Sequence, residues 1–173
     1  MAEQNMIREI AERNVGLLAL KPSRGRLTCT TRARVVEGLR CEVEEGRWRL
    51  AADMPTKAGG EDTAPTPGVL GRAALASCLV VGAATWAARL GLPVRCLEVE
   101  VEADFDARGE LGVGDGVPPG YAEVRYVISI ESRASKHELG ELLGLVERHS
   151  PYLDVFARAI PLKGVWRLNG MEA

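Results

Sequence analysis

Four cysteines and two histidines hold most of the nucleophilic, redox and metal-binding potential of this 173-residue chain: Cys29, Cys41, Cys78, Cys96, His137 and His149. A thiolate attacks electrophilic oxygen or sulfur and passes through sulfenic acid, so each cysteine is first a candidate redox centre. Spacing argues against two other uses. No CxxC pair is present to hold zinc, two histidines do not complete a ligand set, and a chain of this length needs no disulfide staples. No metal and no cofactor is expected, and most of the thiols read as reduced, buried side chains that pack like small apolar residues. Cys78 stands apart because it lies in the middle of the most apolar stretch. There it is either a reactive thiol or a small residue that lets two helices approach closely, and spacing leaves both readings open.

The element that positions Cys78 begins with Thr66 as N-cap and Pro67 at the first helical position, and is closed by Gly91 and Pro93. Between Val69 and Leu90 only Arg72 and Arg89 are strongly polar. A helix apolar nearly all round has to be enclosed by protein. The preceding loop, residues 53–66 (DMPTKAGGEDTAPT), is too long for a hairpin connection, and loops of this length often carry function. Its carboxylates Asp53, Glu61 and Asp62 line a pocket mouth or are simply solvated.

Upstream, Ile7, Ile10, Val15 and Leu18 at helical spacing predict an N-terminal amphipathic helix on the outside of the core, residues 1–20 forming an extension to a single domain spanning 1–173. From Leu27 the period changes to two, predicting a strand over residues 27–35 with Cys29 facing inward. Leu39, Cys41 and Val43 repeat the alternation, and Trp48, Leu50 and Ala51 begin a third strand of an antiparallel meander. Downstream, Leu97 to Phe105 alternate with Glu98, Glu100, Glu102 and Asp104, and Ala122 to Ile130 alternate likewise, with Arg125 placed to pair with the acidic face. Ser135 and Glu138 form a capping box for a helix ending near His149. Ser150-Pro151 opens a short helix to Arg158, and a last strand is expected over residues 162–168. This order predicts an α+β fold with antiparallel sheets around a buried central helix. Gly112-Val113-Gly114-Asp115-Gly116 lies between two strands, where a phosphate-binding glycine loop has no helix to open.

Twenty-two basic and twenty-four acidic residues leave a formal charge of -2, which supplies no global field for nucleic acid or anionic lipid. The N-terminus lacks the basic-then-apolar plan of a secretory signal, and no uninterrupted apolar run approaches the ~18–20 residues of a membrane helix. A cytoplasmic protein with neither nucleic-acid nor membrane partner is expected.

Gly59-Gly60, then Pro65-Thr66-Pro67, then Ala73-Ala74-Leu75-Ala76-Ser77-Cys78 resemble the signature of the OsmC/Ohr family, the osmotically inducible and organic-hydroperoxide-resistance proteins. Asp53, residues 97–101 and the Ser150-Pro151 junction extend the resemblance over residues 27–168. It implies an intertwined homodimer with two central helices packed in the middle and active sites at the subunit interface, so that a second copy covers the apolar helix. It also implies that Cys78 attacks the peroxide and that a second cysteine, just before a proline, closes a disulfide with it. Ser150 occupies that second position. A glutamate ten residues before the reactive cysteine, which with an arginine organises the thiolate in the hydroperoxidase branch, is replaced by Gly68. Arg24, Arg26, Arg32 and Arg34 are candidates for the arginine, whereas Arg72 lies six residues before Cys78 on a different face of the helix.

Ser150 is then a helix N-cap or a hydrogen-bond donor to a Cys78 sulfenate. His149 is a base toward Cys78 or a cation at a helix C-terminus. Two functions follow. One is a one-cysteine, thiol-dependent peroxidase that reduces organic hydroperoxides through Cys78 and uses an external thiol reductant. The other is a non-peroxidatic OsmC-like dimer that binds a small apolar or thiol-bearing ligand at the subunit interface. A structural dimer with neither property is the bland alternative.

Overall fold

In the computed structural model, which describes residues 2–172, the meander runs β1 (Arg32–Glu37), β2 (Arg40–Glu45) and β3 (Trp48–Ala52) in sheet order β1-β2-β3. Val35 faces Cys41 and Val43 faces Leu50 across antiparallel ladders. The first strand starts later than its alternation predicts, and Cys29 is exposed rather than inward-facing. The cause is the length of its neighbour. Arg32 already pairs with Glu44, and β2 ends at Glu45 before the turn at Gly46, so residues 27–31 run past the end of the ladder.

The core is built on α2 (Pro67–Leu90). Thr66 accepts a hydrogen bond from the Val69 N–H at 3.3 Å, Pro67 fills the first turn, and Gly91 terminates the helix in the left-handed region at φ 69°. Leu75, Leu79, Ala83 and Ala87 recur every fourth residue on its buried face. They pack with Leu142 and Val146 of α4 (Lys136–Arg148), and with the inner faces of β4 (Val94–Phe105) and β5 (Tyr121–Ser132), including Leu97, Val99, Ile128 and Ile130. β4 and β5 form a separate antiparallel pair whose Arg125 bonds Asp104 at 2.5 Å and reaches Glu102 and Glu123. The α4 capping box forms as its spacing predicts. α1 (Ala2–Leu20) lies against α2.

The chain itself encloses α2 on one face only. Val69, Ala73, Ser77, Val81 and Ala84 form an exposed stripe, with Val81 62% exposed. By length and by a mean hydropathy of 1.6 over 18 residues, α2 matches a membrane-spanning helix more closely than the sequence reading allows. Its neighbours here are instead protein elements: β4, α4, α1 and α5 (Pro151–Ala157).

The chain between β4 and β5 contains a one-turn helix, α3 (Ala107–Glu110), capped by Asp106. The expected last strand over residues 162–168 is not formed as such. After α5 the chain carries no regular element until β6 (Arg167–Leu168), which pairs with β7 (Met171–Glu172) as a short hairpin of two residues per strand. Among the described residues, the strands of this chain offer that segment no other ladder.

Candidate functional site

Cys78 sits at mid-helix on α2, half-buried between the enclosed face and the open stripe. Its sulfur is 3.4 Å from the Ser150 hydroxyl. The position of Ser150 follows from local structure: Pro151 starts α5, the Leu153 N–H bonds the Ser150 oxygen at 3.3 Å, and the serine is 6% exposed. With its oxygen already accepting from Leu153, the hydroxyl hydrogen is free to point at sulfur. Two residues far apart in sequence are thereby brought together at the α2–α5 junction. A serine there can donate to an oxidised sulfur and cannot form a disulfide with it.

His149, one residue earlier, closes α4 and stacks on Trp86 of α2, with ring centroids 5.1 Å apart and an interplanar angle of 29°. The other thiols lie elsewhere. Cys29 and Cys96 are exposed and Cys41 is half-buried opposite Ala52, so the expectation of mostly buried thiols is corrected. The meander exposes most of its surface, and β4 carries Cys96 where its pairing with β5 is irregular. Among the described residues no group of three or more His, Cys, Asp or Glu side chains could hold a metal ion.

Arg72 turns out to neighbour Gly68, the position where the resemblance places a glutamate. A Cβ built at Gly68 would lie 3.5 Å from Arg72 Nη1 and 3.8 Å from the Tyr121 hydroxyl. Arg72 donates to Tyr121 at 3.3 Å, and Tyr121 donates to the Gly68 carbonyl at 3.1 Å. Of the arginines considered from sequence, Arg34 pairs with Glu42 at 2.8 Å on the exposed face of β1. Tyr121 also stacks with Phe156 of α5, centroids 6.3 Å apart. With Leu75, Val124, Tyr126 and Leu153 these rings line a groove whose wall adjoins the Cys78–Ser150 pair, since Leu75 is one helical turn before Cys78 and Leu153 bonds Ser150. Tyr126 donates to Glu147 at 2.8 Å, and burial, with this acceptor, pushes its phenol up.

The loop ahead of α2 is organised by Asp53, only 1% exposed. Its carboxylate accepts the N–H groups of Met54, Glu61 and Thr63 and the Thr63 hydroxyl at 2.8–3.3 Å. Hydrogen bonds, the Thr63 N–H foremost, hold its carboxyl below the usual aspartate range against the opposing cost of burial. Asp53 is therefore a clamp inside the loop rather than a charge at a pocket mouth. Gly60 completes it: a Cβ there would collide with the Met54 carbonyl and approach Asp53 Oδ1 at 2.7 Å.

An antiparallel strand pair laid on an apolar helix, with a thiol at mid-helix facing the junction of two further helices and a separate three-stranded meander, defines an α+β protein of the OsmC-like class. Residues 59–164 match the family model described as OsmC-like protein, and the chain belongs to that family. Solved structures agree on the fold. An OsmC-like protein from Mycoplasma pneumoniae superposes with a TM-score of 0.65 at 17% identity, covering 76% of this chain and 88% of that one. An organic hydroperoxide resistance protein OsmC from Legionella pneumophila gives 0.53 at 20% identity, with 75% and 89% covered. An organic hydroperoxide resistance protein from Elizabethkingia anophelis, with crystallant-derived thiocyanate bound, gives 0.56 at 16% identity, with 75% and 88% covered. No curated protein matches the chain.

Proposed function

We propose that this OsmC-like protein reduces organic hydroperoxides through Cys78 as a one-cysteine, thiol-dependent peroxidase. The observation that carries the proposal is the 3.4 Å contact between the Cys78 sulfur and the Ser150 hydroxyl. The Cys78 thiolate attacks the distal peroxide oxygen; an S–O bond forms, the O–O bond breaks, and the alkoxide leaves with a proton as alcohol. Ser150 donates to the sulfenate that remains. One external thiol, with a proton taken up from solvent, displaces the sulfenate oxygen as water to give a mixed disulfide, and a second thiol releases reduced Cys78 and carries away the disulfide. Two named helpers of the family's chemistry have no counterpart here, Gly68 in place of the glutamate and Ser150 in place of the second cysteine.

Titrating the protein with cumene hydroperoxide in the presence of a sulfenic-acid trap, and mapping the adduct by mass spectrometry, tests the reading. Label is expected on Cys78, with hydroperoxide consumption lost in Cys78→Ser and kept in Cys29→Ser. Absence of label from Cys78 at every pH at which the protein stays folded defeats it.

The acting unit of this proposal is a homodimer. The exposed α2 stripe, the open edges of the two larger sheets and residues 159–166, which join no ladder among the described residues, are surfaces a second copy would cover. A second reading, binding of a small apolar or thiol-bearing ligand without turnover, is favoured by the groove of Leu75, Tyr121, Tyr126, Leu153 and Phe156 beside the pair. It predicts that an apolar ligand raises the melting temperature while Cys78 gives no peroxide-dependent sulfenate.

A further inference from the structure

The two-residue joint between α4 and α5 touches α2 twice. Ser150 meets Cys78, and His149 stacks on Trp86, eight positions and about 12 Å further along the helix at 1.5 Å per residue. The His149 backbone is held as well, its N–H bonding the Leu145 carbonyl at 3.1 Å. Trp86 is packed against the core cluster and is therefore a fixed surface for the imidazole. The indole is also braced from another direction. The Arg89 guanidinium carbon lies 4.1 Å from the indole ring centroid, and Arg89 Nε donates to Glu12 of α1 at 2.8 Å. Gln4 of the same helix reaches the Leu92 carbonyl at 3.4 Å, tying α1 to the end of α2.

A hydroxyl–sulfur contact is too weak to orient two helices by itself. A flat ring laid on another flat ring fixes both separation and tilt. We propose that His149 and Trp86 are positioning residues for Cys78. Their stack pins the α4–α5 joint so that the Ser150 hydroxyl sits over the sulfur and restricts access to it, and α1 supports this arrangement through Glu12 and Arg89. The proposal rests on Cys78 being the thiol that matters in this protein. Its own content is the accessibility of that sulfur, whatever electrophile arrives.

The test measures the alkylation rate of each cysteine in the full chain with iodoacetamide, a small uncharged probe, followed by mass spectrometry. His149→Ala removes an exposed ring and is expected to speed alkylation of Cys78 by roughly 2- to 12-fold, the range equivalent to losing one aromatic stack. Cys29, Cys41 and Cys96 should keep their parent rates. His149→Phe retains a flat ring and should return Cys78 to within about twofold of the parent. Glu12→Gln, on the surface of α1, should shift the rate in the same direction as His149→Ala by a smaller factor. Unchanged Cys78 labelling in His149→Ala overturns the proposal, as does equal acceleration at all four cysteines or a His149→Phe rate matching His149→Ala. A parent protein that forms no sulfenate with hydroperoxide would defeat the peroxidase reading and leave these alkylation ratios intact, so the two failures are distinguishable.

Discussion

A serine in place of a second cysteine changes which bonds the site can make, and this can be reversed by one atom exchange. Ser150→Cys places a thiol where the hydroxyl lies 3.4 Å from Cys78. Oxidation with hydroperoxide is then expected to give an intramolecular disulfide with Cys78, detected by non-reducing peptide mapping, while the parent gives only mixed disulfides with added thiol. Asp53 supplies a pH-dependent expectation. Its carboxyl is held below the ordinary aspartate value, so the unfolded state takes up the proton first, and its contribution to stability is present above about pH 4 and lost as pH falls below that. Asp53→Asn should lower the denaturant midpoint at pH 7, and the gap from the parent should narrow below about pH 4. The N-cap role of Ser150 is legible in sequence because a cap and a following proline are neighbours in the chain. The pairing of Cys78 with Ser150 is legible only through the family resemblance, and that of His149 with Trp86 is not legible at all, because these residues meet only after α2, α4 and α5 have packed.

Helices whose starts are marked by capping residues form where the sequence places them: α2 between Thr66 and Gly91, α4 from its capping box, α5 from Ser150-Pro151. Strand ends depend on a partner's length, which a single strand's alternation does not contain. β1 therefore stops short of Cys29, and residues 162–166 of the expected last strand join no ladder among the described residues. The side-chain period likewise shows α2 to be apolar without saying which face the chain itself covers. That face is tested by Leu79, fully buried on α2. Leu79→Ala should cost about 2–5 kcal/mol by chemical denaturation through lost transfer energy and the cavity left behind. Val81→Ala, at a position 62% exposed, should cost far less in a dilute monomer.

For the whole molecule, the element order and the GG–PTP–Cys stretch are enough to point to the OsmC-like class. Which face of α2 the chain leaves open emerges only with coordinates. Val81→Glu places a charge on that open stripe, and if a second copy covers it, light scattering should report a shift from dimer toward monomer. Covering of this kind has a thermodynamic signature. A chain that leaves a stripe of its central helix open until another copy arrives has a stability set partly by mass action. For a dimer that unfolds directly to two chains, each tenfold dilution removes about 1.4 kcal/mol per mole of dimer, so the melting temperature falls on dilution. If a second copy covers the exposed residues Val69, Ala73, Ser77, Val81 and Ala84, as proposed, protein concentration becomes a variable of the fold itself.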